Sequence, residues 1–229
     1  MSASSSDKRY PCDQVVPIER EPRHHLVIEN EFVRGFAVEV AAHDRTLCHH
    51  HPHDYLVYVA TEAEIVSAAR DQEPKRLSYV DGECELSSAG MTHVVENVGE
   101  KPFRNVVAEL LPAAGALRRG ADPQLIRGEA KIVPQFDDDR AAVFVVHLSS
   151  SAEVEVRGPA LIATPYGSVL NPEDPGTITI KPNPISGLAW VPAEEQAVLW
   201  GTAPASARVV VFMIGLRSDE ALAGVRELH

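Results

Sequence analysis

The sequence predicts an all-β chain, a sandwich or barrel, built as two copies of one unit. Three observations carry this reading. Apolar and polar residues alternate, or form short β-branched runs, almost throughout the 229 residues, the period expected of half-buried strands. Seventeen prolines and fourteen glycines punctuate these runs at short intervals. The apolar phase of the first half also recurs in the second at an offset of about 104–105 residues: "DGECELSSAGMTHVVENVGEKPFRNVVAELL" lies over "ISGLAWVPAEEQAVLWGTAPASARVVVFMIG", as internal duplication requires.

Residues 1–22 open with "MSASSSDKRYPCDQ". This stretch lacks the apolar core of a signal peptide and is expected to be a disordered or extended arm. Residues 23–112 hold the first β unit, with strands at "EFVRGFAVEV", "YLVYVA", "AEIVSAA" and "NVVAELL". The Ala/Gly-rich "AAGALRRGADPQ" marks a linker over 113–128. Residues 129–229 form the second unit, with strands at "AAVFVVHL", "AEVEV", "GPALIAT", "TITIKP", "QAVLWGT" and "ARVVVFMIG". Helical patterning is confined to "SDEALAGVREL" near the C-terminus, where Ser218 or Asp219 offers an N-cap.

Composition narrows the function. A net charge of −12 opposes binding to a nucleic-acid backbone or an anionic membrane, leaving a small molecule as the expected partner. No apolar run approaches the roughly 20 residues of a spanning helix. The three cysteines, Cys12, Cys48 and Cys84, form no disulfide framework, so a reducing cytoplasm is the expected location.

The stretch "TLCHHHPHDYLVYVA" carries the chemistry. His49, His51 and His53 share one face of an extended segment, and His50 points to the other. Two alternate imidazoles make part of a metal site, and the rest must come from a distant strand. His93, after the turn at Gly90, is the candidate. His53 is either a stand-in for His51 as ligand or an acid/base group behind the metal. Tyr55 lines the pocket, and Asp54 either orients an imidazole or closes a turn.

These residues resemble the paired signature motifs of the cupin superfamily. The second motif, G(x)5PxG(x)2H(x)3N, is matched by Gly82, Ser88-Ala89-Gly90, His93 and Asn97, with Ser88 in place of proline. The first, G(x)5HxH(x)3–4E(x)6G, places its HxH on His49 and His51, but Tyr55 or Leu56 stands at the glutamate and neither glycine is present. The resemblance implies two tandem jelly-roll barrels, and its edge strands admit a homodimer. Metal ligation by His49, His51 and His93 rests on that match. In the second copy the aligned positions hold Val154, Val156 and Ala197, so that barrel is expected to lack metal.

Three neutral imidazoles suit Fe, Zn, Mn, Ni or Cu. Three-histidine cupins without the glutamate resemble dioxygenases of β-dicarbonyl or thiol substrates. The resemblance thus implies a metal-dependent enzyme acting on a small oxygenated molecule, most simply dioxygenase-like, with His53 and Tyr55 as catalytic candidates. The alternatives are a non-catalytic bicupin that binds metal or a small ligand in a structural, storage or sensing role, and a metal-dependent isomerase or hydrolase.

Overall fold

A computed structural model describes residues 10–149, 152–165, 186–200 and 207–216. The expected C-terminal helix lies outside these residues. The chain divides into two compact units, one comprising Met1–Glu29 and Val33–Leu110, the other Asn30–Phe32 and Leu111–His229.

The first unit closes two five-stranded sheets over one core. The strands are β1 (Val16–Pro17), β2 (His24–Glu29), β3 (Val33–Val40), β4 (His49–His50), β5 (Asp54–Val59), β6 (Ala63–Ala69), β7 (Lys75–Tyr79), β8 (Cys84–Ser87), β9 (Thr92–Asn97) and β10 (Phe103–Leu110). One sheet runs β1-β4-β9-β6-β7 and the other β2-β3-β10-β5-β8. Alternation decides which side chains face inward. On β3 these are Phe36, Val38 and Val40; on β10, Phe103 and Val107; on β5, Tyr55 and Val59. Burying such side chains contributes roughly 1.5–3 kcal/mol each. Gly82 and Gly90 take φ of +99° and +93°, a backbone region that disfavours side chains with a Cβ, which explains two of the glycines in the second motif. Asn97 completes that motif structurally: its Nδ2 donates to the carbonyls of Val40, Ala41 and Lys101.

The second unit repeats the plan with β11 (Gln124–Arg127), β12 (Ala130–Asp137), β13 (Ala141–Leu148), β14 (Glu153–Arg157), β15 (Ala160–Pro165), β16 (Ser186–Val191), β17 (Gln196–Trp200) and β18 (Ala207–Ile214). Its sheet β12-β13-β18-β15-β16 has the same order as β2-β3-β10-β5-β8. The strand register refines the sequence alignment by two residues. In the first unit His49 pairs with His93, and in the second Val156 pairs with Ala197. His49 therefore corresponds to Val156, not Val154. A slip of two preserves the apolar phase, so a pattern of period two cannot detect it. Val154, Val156, Ala197 and Leu199 all lie in a packed aliphatic core.

Of the disordered or extended arm expected over 1–22, residues 10–22 lie against the first unit: β1 pairs in parallel with β4 through Val16 and His49, and Ile18 is fully buried. The stretch 113–128 is not a free linker, because β11 pairs with β14 and Arg118 bridges Leu216. Cys12 and Cys48 are not free thiols but form a disulfide with a Cα–Cα distance of 5.2 Å, packed with Ala68 and Val94. A cysteine count says nothing about this pair, since β1 lying against β4 is what brings the two together. Titration of thiols in denaturant without reductant should therefore find one per chain, Cys84. Cys12→Ser should cost about 2–4 kcal/mol of stability, a difference that disappears in reductant.

Candidate metal centre

Four histidines converge at one end of the first unit. His49 on β4 is fully buried and His51 nearly so. His93 is opposite His49 on β9. His24 opens β2 on the inward face, opposite Val38. The His49 ring centroid lies 4.6 Å from that of His24, 5.1 Å from His51 and 4.6 Å from His93. One ring nitrogen from each of His24, His49 and His51 lies within 4.8 Å of the others. The grouping that meets this spacing thus takes in His24 and leaves out His93, whose ring centroid is 5.4 Å from that of His51.

Three of the four rings are held from behind through Nδ1, while His51 Nδ1 makes no hydrogen bond. His49 Nδ1 donates to the Leu47 carbonyl at 2.9 Å. His24 Nδ1 donates to Glu21 Oε2 at 2.8 Å. His93 Nδ1 is 3.2 Å from Ser67 Oγ, and His51 Nδ1 is 3.8 Å from Glu109 Oε1. Histidines that bind metal are oriented in this way, with one nitrogen fixed and the other presented. His49 Nε2 is buried with no hydrogen-bond partner, a state that costs about 1–3 kcal/mol if nothing occupies it.

Electrostatics favour the neutral, ligating form of His49, His51 and His93. Burial, reinforced by repulsion from His24 and His93, holds His49 far below the usual imidazole range. Burial and the neighbouring histidines bring His51 down to about 2, and His93 is lowered to about 4. Two carboxylates stand behind the cluster. Burial pushes Glu21 up, but hydrogen bonds from His24, Leu47 and Arg23 outweigh it and leave the group below its ordinary value. Glu109 is fully buried and raised to about 7 by burial, against the pull of Arg34. Arg34 Nη2 approaches Glu109 Oε2 at 2.6 Å, yet neither carboxylate oxygen makes an aligned hydrogen bond.

The cluster opens on a cavity of about 640 Å³ lined by aliphatic side chains, among them Val38, Val57, Ile65, Leu77 and Met91, and by charged ones, Glu73, Lys75, Glu83 and Glu85. Tyr55 also lines it, stacked on His51 at 4.0 Å with 18° between the rings. His53 does not: it lies in the bend before β5 and is absent from the cavity wall, which corrects the expectation of a pocket role. His50 turns away to Thr92 Oγ1 at 2.8 Å. Asp54 accepts from the Ala89 backbone N–H at 2.7 Å, tying β5 to the Gly90 turn. Arg104 pairs with Glu39 at 2.8 Å outside the cavity wall.

The sequence reading missed His24, Glu21 and Glu109. The available signals were the "HH" at the head of a strand pattern, a glutamate three residues before it, and one carboxylate in the inward phase of "FRNVVAEL". The donor set, nitrogen-rich and neutral with an unpartnered buried Nε2, fits a divalent transition metal.

No protein-family model and no curated protein sequence matches the chain. Among solved structures, it is similar to the salicylate 1,2-dioxygenase of Pseudaminobacter salicylatoxidans, with a TM-score of 0.54 and 11% identity over 91% of this chain and 79% of that one. It is similar to the vicilin of Solanum melongena at TM-score 0.54 and 14% identity, covering 80% of this chain and 75% of that one. AerE from Microcystis aeruginosa matches at TM-score 0.53 and 10% identity, over 85% and 98% of the two chains. These likenesses concern the fold.

Proposed function

The chain has the two-barrel cupin fold, and from that premise we propose that its first unit holds a single divalent metal and acts on a small oxygenated molecule, with dioxygenase-like activity. The observation that carries this reading is the convergence of buried imidazoles, three of them fixed through Nδ1, on the wall of one cavity. A metal bound there supplies a Lewis acid and, if it is iron, redox chemistry with oxygen. His49, His51 and His93 are the ligands proposed from the sequence motifs.

The protein's own residues have separable tasks. The valines, Leu77 and Met91 exclude water and take the apolar body of the substrate. Tyr55, its hydroxyl pushed up to about 12 by burial, stays protonated and donates a hydrogen bond rather than acting as a base. Glu85 and Tyr79, 3.4 Å apart at the cavity wall, face the part of the substrate remote from the imidazoles. The fold is shared with a protein named salicylate 1,2-dioxygenase, so it is one on which dioxygenase chemistry occurs.

Oxygen uptake tests the reading. The full chain loaded with Fe(II) is expected to consume oxygen with one of acetylacetone, 3-mercaptopropionate or 2-hydroxybenzoate, while the Zn(II)-loaded chain does not. Stoichiometric iron with no uptake from any of the three would sink the dioxygenase reading in favour of a binding barrel.

A further inference from the structure

We propose that His24 is a metal ligand of this centre, filling the role of the glutamate missing from the first motif, and that Glu21 is the residue that positions it. The inference rests on the metal-centre reading above and adds a ligand from a strand that neither motif includes. Four observations carry it. His24 is 8% exposed, and its ring centroid lies 4.6 Å from that of His49. It belongs, with His49 and His51, to the set whose nitrogens lie within 4.8 Å of one another. Its Nδ1 is taken by Glu21, so Nε2 is the nitrogen left to bind. The first motif's glutamate position is occupied by Tyr55 or Leu56, and Tyr55 stacks on His51 instead of reaching past it.

Glu21 does more than touch one ring. Glu21 has a fully buried side chain, and its carboxylate accepts from the Leu47 N–H at 3.1 Å and from the Arg23 N–H at 2.7 Å. The Leu47 carbonyl in turn receives the His49 Nδ1–H. One carboxylate therefore fixes His24 directly and His49 through a single backbone unit. It also returns, from behind the imidazole, the negative charge that a ligating glutamate would have brought to the metal.

The test uses Zn(II) affinity by chelator competition and pulsed EPR of the Cu(II)-loaded full chain. In the wild type, EPR should count a nitrogen from His24 that is lost in His24→Ala, and Zn(II) should bind this variant about 100-fold or more weakly, beyond the roughly 10–100-fold typical of residues that only support a ligand. Glu21→Gln should weaken Zn(II) about tenfold when His24 is present and by clearly less in the His24→Ala background, where only its indirect hold on His49 through Leu47 remains. A merely structural Glu21 would weaken both equally. His24→Gln, closer in size, serves if the alanine variant does not fold. Unchanged affinity and nitrogen count on removing His24 would overturn the proposal while leaving the centre intact. Absence of metal from the wild type would overturn the centre itself.

Discussion

His49→Ala is expected to take the metal content of the purified chain from about one ion to under about 0.1. His49 is the hub of the cluster: its ring is within about 5 Å of three other imidazoles, and it is fully buried. Removing it takes away the proposed ligand nitrogen, the buried Nε2 that has no hydrogen-bond partner of its own. The loss should exceed the about 10–100-fold that follows removal of an outer partner. His93→Ala and His51→Ala should behave alike. His50→Ala, whose ring faces Thr92, should retain the ion. Elemental analysis after reloading decides the matter, and retention of about one ion by His49→Ala would mean that the imidazoles are only a packed polar cluster.

Arg34→Met should destabilise the protein by about 3–5 kcal/mol, the range for breaking one side of a buried ion pair. Arg34 stands directly across from Glu109 in the β3–β10 ladder, and Tyr55 flanks Glu109 on the other side, on β5. The Glu109 side chain has no exposure and that of Arg34 only 12%, so without the guanidinium the carboxylate has no countercharge of comparable reach. Replacing both residues, Arg34→Met with Glu109→Leu, should recover most of the loss, because an apolar pair of similar volume removes the desolvation problem at its source. Urea denaturation of the chelator-treated protein measures both. A loss under about 1 kcal/mol in the single variant would place the pair with solvent-screened surface bridges.

The barrels and much of the centre were legible because both follow from period two. Alternation assigned the inward faces, and the spacing of Gly82, Gly90, His93 and Asn97 marked a turn that only glycine accommodates easily. His24 was illegible for a complementary reason. It enters the site from the head of β2, next to His25, and no spacing relates it to residues 49 or 93 until the sheets close. Glu109 carried a faint mark as a lone charge in an apolar run, but the same pattern fits a strand with one solvated position. Arg34 stands in phase with Phe36 and Val38, and period two alone does not tell an inward arginine from a solvated one. The disulfide depended on a parallel pairing of two-residue strands, β1 with β4, too short to leave any periodic trace.

That same closure has a kinetic consequence. β3 pairs with its neighbour β2 but finds its second partner only when β10 arrives, with Val33 against Leu110 and Val40 against Phe103, and His49 meets His93 only once β9 is in place. Ladders between such distant segments must meet the entropy of a long loop before they gain contacts, which puts assembly on the order of milliseconds to seconds rather than microseconds. A nascent chain that has exposed residues 24, 49 and 51 to solvent still has no site. If an ion binds there, the proposed ligands are assembled for it only by the closing of these ladders.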